Sequence, residues 1–259
     1  MNRSEDQPLN DSVQEFWESE TCGTHDYIVN EESKYSKSWF ERIEDHRYRM
    51  EPFIHAVAQF TRHRGKRVLE IGVGAGTDHL QWARAGTDLY GVDLTDAAVT
   101  TTQKRLEMFG LRSNLQRIDA ESLPFEDGYF DVVYSWGVIH HSEHPERIIK
   151  EIHRVLKPGG KFIGMLYRRP SIYTIKAWIR YGLLRAKPWR SVKYIMYHFV
   201  ESIGTKAYTT AEVRNLLANF RNLELTPIVT PYETNRLPKV IKEMIPASLG
   251  NFLAIQAYR

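Results

Sequence analysis

Arg67-Val-Leu-Glu-Ile-Gly72-Val-Gly74-Ala-Gly76-Thr-Asp78 runs from a β-branched apolar segment, through three glycines, into a polar residue that opens a helix. Glycine suits such a turn because a side chain would keep a ligand away from the backbone. The dinucleotide fingerprint G-x-G-x-x-G, counted from Gly72, needs a glycine at 77, and Thr77 stands there. The pattern is E-x-G-x-G-x-G. Asp93 ends the next predicted strand, where a carboxylate can accept from both hydroxyls of a ribose. A ligand without a pyrophosphate explains this spacing better than a nicotinamide dinucleotide. Further on, Asp119-Ala120-Glu121 offers a reader for an adenine edge. A carboxylate there accepts from the exocyclic amine, and the next backbone N–H donates to a ring nitrogen.

Around this stretch, strand and helix signals alternate. The sequence predicts strands at 67–72, 88–93, 115–119, 130–135 and 161–167, with helices from Asp78 to Ala85, from Thr95 to about Phe109, and from Pro145. The last carries one apolar stripe, Ile148, Ile149, Ile152, Val155 and Leu156. Such alternation implies right-handed crossovers and a parallel sheet covered on both faces, with the ligand at the strands' carboxyl ends. A helix from Ala211 to Phe220, closing strands at 223–229 and 252–258, and a short helix near Val240 to Met244 follow.

Val68 to Gly76, Asp93, Asp119-Ala-Glu-Ser-Leu-Pro-Phe125, Phe130-Asp-Val-Val-Tyr134, Gly137-Val-Ile-His-His141 and Arg154-Val-Leu-Lys-Pro-Gly-Gly160 together resemble the class I S-adenosylmethionine-dependent methyltransferases, small-molecule branch, near the ubiquinone/menaquinone-biosynthesis types. The resemblance covers about residues 60–167 clearly and the tail more weakly. It implies an α/β, Rossmann-like seven-stranded mixed sheet with helices on both faces and the last strand antiparallel. The expected organisation is an N-terminal helical arm (1–60), a cofactor-binding core (61–167), a basic aromatic substrate cap inserted after strand five (168–206), and completion of the core sheet (207–259). The implied cofactor is S-adenosyl-L-methionine, leaving S-adenosyl-L-homocysteine as product. Glu70, Gly72, Gly74 and Gly76 would surround its methionine part, with Ser135 and Trp136 on the same side. Asp93 would hold the ribose, Leu94 would pack on the adenine, and Asp119, Ala120 and Glu121 would read its edge.

Methyl transfer from a sulfonium needs positioning and exclusion of water, and a base only where the acceptor has a proton to lose. His140 and His141 follow strand four. Either suits that role at the ordinary imidazole pKa, His141 first. A metal triad of these two with His144 has poor spacing, so no metal is expected. Tyr27, Arg168, Glu201 and Tyr208 are candidate substrate contacts, and Arg49 a partner for the cofactor's carboxylate. The asparagine-proline-proline-aromatic signature of amino-methylating enzymes is absent, Ser135-Trp-Gly-Val138 standing in its place.

The 259 residues are 42% hydrophobic and 26% charged, which fits a folded chain and excludes general disorder. One cysteine, Cys22, excludes an internal disulfide framework and suits a reducing, cytoplasmic setting. Neither a signal peptide nor a membrane span is expected. From Ile152 to Val200 there is no acidic residue against eleven Lys and Arg. Such a segment can hold an anionic acceptor or touch an anionic membrane surface to reach a lipophilic one. Expected partners are thus a small molecule, anionic or aromatic, and no nucleic acid. The alternatives are an S-adenosylmethionine-binding protein without transfer activity, and a nicotinamide-dependent oxidoreductase, which Thr77 disfavours.

Overall fold

Seven strands, β1 (Arg67–Ile71), β2 (Asp88–Asp93), β3 (Asn114–Arg117), β4 (Phe130–Trp136), β5 (Leu156–Tyr167), β6 (Arg221–Ile228) and β7 (Phe252–Tyr258), form one sheet in the computed structural model, which describes residues 8–235 and 238–259. Their order is β3-β2-β1-β4-β5-β7-β6. The pairs among β1 to β5 are parallel, and β7 runs antiparallel between β5 and β6. Strand order reverses between β1 and β4, so the crevice at their carboxyl ends is the topological switch point.

The helices are α1 (Leu9–Ser19), α2 (Asp26–Val29), α3 (Lys37–Met50), α4 (Ile54–Ala58), α5 (Thr77–Arg84), α6 (Asp96–Met108), α7 (Pro145–Val155), α8 (Ile172–Tyr181), α9 (Val192–Phe199), α10 (Thr210–Leu216), α11 (Pro231–Thr234) and α12 (Lys239–Met244). Side chains alternate across β4. Val133 joins the core under α7, while Val132, Tyr134 and Trp136 join the core beneath α4 and α5. The apolar stripe of α7 is buried as its spacing requires, Ile152 and Val155 being wholly inaccessible. Each such side chain contributes about 1.5–3 kcal/mol by leaving water.

Several boundaries shift by one or two residues from the sequence expectation, and two differ more. Strand β5 begins at Leu156, pairs with Phe130, and resumes pairing at Lys161 after a register shift. Pro158-Gly159-Gly160 is therefore an irregularity inside the strand rather than a turn before it, with Gly159 at φ +76°. Helix α10 ends at Leu216, short of Phe220. The segment after β5 folds as two helices, α8 and α9, packed on each other through Ala177, Ile195 and Met196.

Candidate active site

The glycine turn closes on three neighbours. A Cβ on Gly72, whose φ is +81°, would lie 2.1 Å from the Val138 side chain, and one on Gly76, at +73°, would lie 2.8 Å from Thr102 Oγ1. Gly74 differs, since a Cβ there would meet nothing nearer than Cys22 at 3.9 Å. Its open side faces the crevice, and its N–H donates to Asp93 Oδ2 at 3.1 Å. Asp93 Oδ1 accepts from the Thr95 N–H and hydroxyl at 3.0 and 2.8 Å. Burial nevertheless raises the Asp93 pKa. Thr95 also caps α6. The exposed N–H groups of Asp96 and Ala97 donate to the Glu18 carboxylate, each at 2.9 Å, which ties α1 to the start of α6.

Leu94, Ile118 and Asp119 line a recess of about 310 Å³, closed on its outer side by Asn10, Asp11 and Gln14 of α1. The Asn10 amide donates to Asp119 Oδ2 at 2.9 Å and to Glu121 Oε1 at 2.7 Å. An NH₂ group thus sits on the carboxylate expected to accept an exocyclic amine. Glu121 also accepts from the Ser142 hydroxyl and the His144 N–H at 2.6 and 3.0 Å, so it fastens the loop after β4. The Ala120 side chain packs on the core beneath.

Glu70 lies under the turn, 3% exposed, with its carboxyl 2.9 Å from His79 Nδ1. The Ser113 hydroxyl donates to the Leu89 carbonyl, so its oxygen accepts from His79 Nε2 at 2.8 Å. This leaves Nδ1 without a proton and requires one on Glu70. Burial drives both shifts in that direction, holding His79 down at about 3 and Glu70 well above the carboxylate range. The Glu70 carboxyl is committed to His79 rather than turned to the crevice. Ser135 is fully buried, and its hydroxyl has no partner among the described residues. Trp136 Nε1 donates to Glu51 at 2.7 Å.

Glu51 belongs to a buried network that sequence reasoning missed. Arg47 donates to Glu51 and to Asp78 at 2.7 Å each, and the Tyr134 and Tyr48 hydroxyls donate to Asp78 at 2.8 and 3.0 Å. This holds α3 against the start of α5. Arg49, the cation picked from sequence, is exposed. The readable signal was the i,i+4 pair Arg47–Glu51 on one face of α3. Cys22 is an exposed residue beside Gly74, and loss of solvation raises its thiol to about 11. The charges acting on it include those of Arg47, Glu201, Glu51 and Asp93.

His140 and His141 sit in a short 3₁₀ turn at Ile139–His141, beyond β4. Thr205 Oγ1 donates to the Ser202 carbonyl at 2.7 Å and therefore accepts from His141 Nδ1 at 3.1 Å. The imidazole proton is thus on Nδ1, and the bare Nε2 faces Glu201 Oε2 at 3.4 Å. Glu201 Oε1 accepts from the Tyr167 hydroxyl at 2.7 Å. Two lone pairs facing one another need a proton between them, and burial, the main cause raising the Glu201 pKa, favours one on Glu201. His141 itself is held at about 3 by burial, with the Lys206 charge adding to the effect. This corrects the expectation of an ordinary imidazole poised at neutrality, because the ring is buried beneath α1 with Trp17 edge-on to it at 5.4 Å. His140 lies tilted against Tyr167 with ring centroids 4.0 Å apart, and neither ring nitrogen has a partner among the described residues. His140, His141 and Glu201 bring one donor atom each within 4.8 Å of one another, whereas His144 lies apart, 3.3 Å from Glu146.

Of the other candidate contacts, Tyr27 stands near Cys22, 75% exposed and stacked on His25. The Arg168 guanidinium is spent on the Pro170 and Ser248 carbonyls. Tyr208 donates its backbone N–H to the Tyr167 carbonyl, and its charged neighbours are Glu146 and Glu212 rather than Glu201. The structure therefore brings Glu201 and His141 together but not Arg168 or Tyr208. Tyr167, Asn10, Ser202 and Thr205 went unread, since only the folded chain brings these distant segments together.

Residues 69–164 match the family described as a methyltransferase domain. A phthiotriol/phenolphthiotriol dimycocerosates methyltransferase 1 of Mycobacterium ulcerans is 40% identical over 108 residues, 41% of this chain and 39% of that protein. A ubiquinone biosynthesis O-methyltransferase of Pseudomonas aeruginosa is 32% identical over 111 residues, 42% of this chain and 48% of that one. The chain thus spans less than half the length of these curated relatives. A solved S-adenosylmethionine-dependent methyltransferase of Mesorhizobium loti superposes with a TM-score of 0.59 at 18% identity, covering 80% of this chain and 97% of its own, which shows the shared fold. The glycine turn open at Gly74, the half-buried Asp93 and the recess at Leu94 and Asp119 fit the cofactor S-adenosylmethionine. Residues 69–164 thus match a methyltransferase-domain family, on the fold of the solved S-adenosylmethionine-dependent methyltransferases.

Proposed function

We propose that this protein transfers a methyl group from S-adenosylmethionine to a hydroxyl of a small aromatic or lipophilic acceptor in the cytoplasm. One observation carries the reading: a single glycine turn meets both ends, the Gly74 N–H donating to Asp93 while Gly72 lies against Val138, next to the turn that holds His141 and its neighbour Glu201, so cofactor and acceptor chemistry border one crevice. The bound cofactor supplies a methyl group already activated on a sulfonium. Asp93 would accept from the ribose hydroxyls, Asp119 would take the adenine amine in place of Asn10, and Arg47 would meet the carboxylate end. The acceptor hydroxyl enters at Glu201. Its proton would pass to the Glu201 carboxyl while the Glu201 proton moves on to His141 Nε2, freeing the oxygen to take the activated methyl group, with S-adenosylhomocysteine as the leaving thioether. Tyr167 holds the Glu201 carboxyl group, and Thr205 and Ser202 fix the His141 ring. A positioned base of this kind contributes about 10²–10⁴-fold. The relative named a ubiquinone biosynthesis O-methyltransferase supports oxygen as the accepting atom.

The test is a panel of phenols, quinols and long-chain alcohols, with S-adenosylhomocysteine formation as readout. On the acceptor that turns over, Glu201→Gln and His141→Ala should lower kcat by about 10²-fold or more while S-adenosylhomocysteine affinity is unchanged. Rates in both variants equal to the parent would remove the pair from the reaction. Cofactor binding with no turnover across the panel would favour a binding protein without transfer activity.

A further inference from the structure

The cap has two unlike faces. Inward, Ala177 of α8 packs on Ile195 and Met196 of α9, and Tyr173 of α8 lies close enough to Glu201 to feel its charge. Outward, Ile175, Ile179 and Leu183 follow one another at four-residue spacing, 46%, 39% and 51% exposed. They lie along one side of α8 and into the turn beyond it. At the end of that line, Leu184 and Trp189 are each 76% exposed. Five large apolar side chains on one rim are more than the scattered exposure of an ordinary surface.

The charges beside this rim have one sign. No acidic residue occurs between Ile152 and Val200. Other cations of the cap are already engaged: Lys176 donates to the Glu233 carbonyl, Lys193 pairs with Glu212, and Arg190 lies over the Tyr194 and Phe199 rings. Arg185 and Lys187, between Leu184 and Trp189, are exposed, and their side chains have neither a hydrogen bond nor an ion pair among the described residues. Protruding leucine and tryptophan flanked by unpaired cations match the chemistry of a bilayer interface, where the apolar groups enter the headgroup boundary and the cations meet anionic lipid.

We infer that the rim Ile175–Trp189 docks this protein on an anionic membrane surface. Docking sets the cap's outer face on the lipid while its inner face borders Glu201, so an acceptor resident in the bilayer reaches the site along α8 and α9. This last point rests on the methyl-transfer reading. The docking does not, because it is measured without turnover.

The experiment is co-sedimentation of the full chain with vesicles of phosphatidylcholine alone and of phosphatidylcholine with one-third phosphatidylglycerol. Binding is expected to the anionic vesicles only, weakening as salt rises. Two surface cations account for roughly 30-fold in affinity, which Arg185→Glu with Lys187→Glu should abolish. Leu184→Ser with Trp189→Ser should also release the protein, with S-adenosylhomocysteine affinity retained as the control for folding. Failure of the parent chain to bind anionic vesicles would overturn the inference. So would binding that survives the Leu184/Trp189 change, or light scattering showing a dimer that the same change dissociates, which would assign the rim to a second copy.

Discussion

Replacing Arg47 with methionine removes the one cation from the buried network beneath the recess. Asp78 and Glu51 are 4% and 2% exposed, and both accept from the Arg47 guanidinium at 2.7 Å. Stripping a buried pair of its cation costs about 3–5 kcal/mol. Asp78 keeps the Tyr48 and Tyr134 hydroxyls, and Glu51 keeps the Trp136 indole and already tends towards its neutral form, so the lower figure applies. An unfolding entropy of about 2.1 cal/mol/K per residue gives roughly 0.54 kcal/mol/K for 259 residues. A loss of ~3 kcal/mol then lowers Tm by about 5–6 °C. The sign with pH follows from Arg47, which opposes burial and holds Asp78 below its ordinary value. Without Arg47, burial raises the Asp78 pKa above its unfolded value, so the penalty for ionising it grows as pH rises and the deficit of the variant is larger at pH 8 than at pH 5. Differential scanning calorimetry at both pH values measures it. Adding Asp78→Asn to the variant should cost less than the two single changes summed, because the orphaned charge goes with it. A Tm within 2 °C of the parent at pH 8 would refute the view that this network anchors α3.

Asp93→Ala removes an acceptor for two ribose hydroxyls at about 1.5 kcal/mol or more each, so calorimetric affinity for S-adenosylhomocysteine should fall by roughly 100-fold; a change under fivefold would move the sugar elsewhere. Gly72→Ala forces a Cβ to within 2.1 Å of Val138 at a left-handed backbone, and should give a chain that neither binds cofactor nor reaches the parent Tm. His140→Phe replaces a buried ring with two unpartnered nitrogens by an apolar one of similar shape, and should raise Tm by about 2 °C. Burial holds His79, His140 and His141 below the ordinary imidazole value. The folded chain therefore binds fewer protons than the unfolded one below about pH 6.5, so stability drops on acidification from there, and the drop is shallower in His140→Phe; identical acid limbs would contradict the buried neutral ring.

The sheet was legible because its signals are local. Alternating apolar runs, glycine turns and the α7 stripe each fix one element, and the right-handed crossover rule assembles them. Asp93 and Asp119 were legible for the same reason, since each ends its own segment at a carboxyl edge. The partners of the predicted groups were not. Glu70 meets His79, Glu201 meets His141 and Tyr167, and Asp119 meets Asn10 across 109 positions, contacts that depend on how the arm and the cap fold back. The ordinary imidazole pKa failed as a guide to His141 because desolvation is a property of packing, which no local spacing records.

A crystal structure of the full chain with S-adenosylhomocysteine tests the central claim directly. The account predicts both ribose hydroxyls on Asp93, the adenine amine on Asp119 with the Asn10 amide displaced, and the sulfur turned towards Glu201. A nucleoside bound away from Asp93, or Asn10 still on Asp119 with the recess closed, would contradict it.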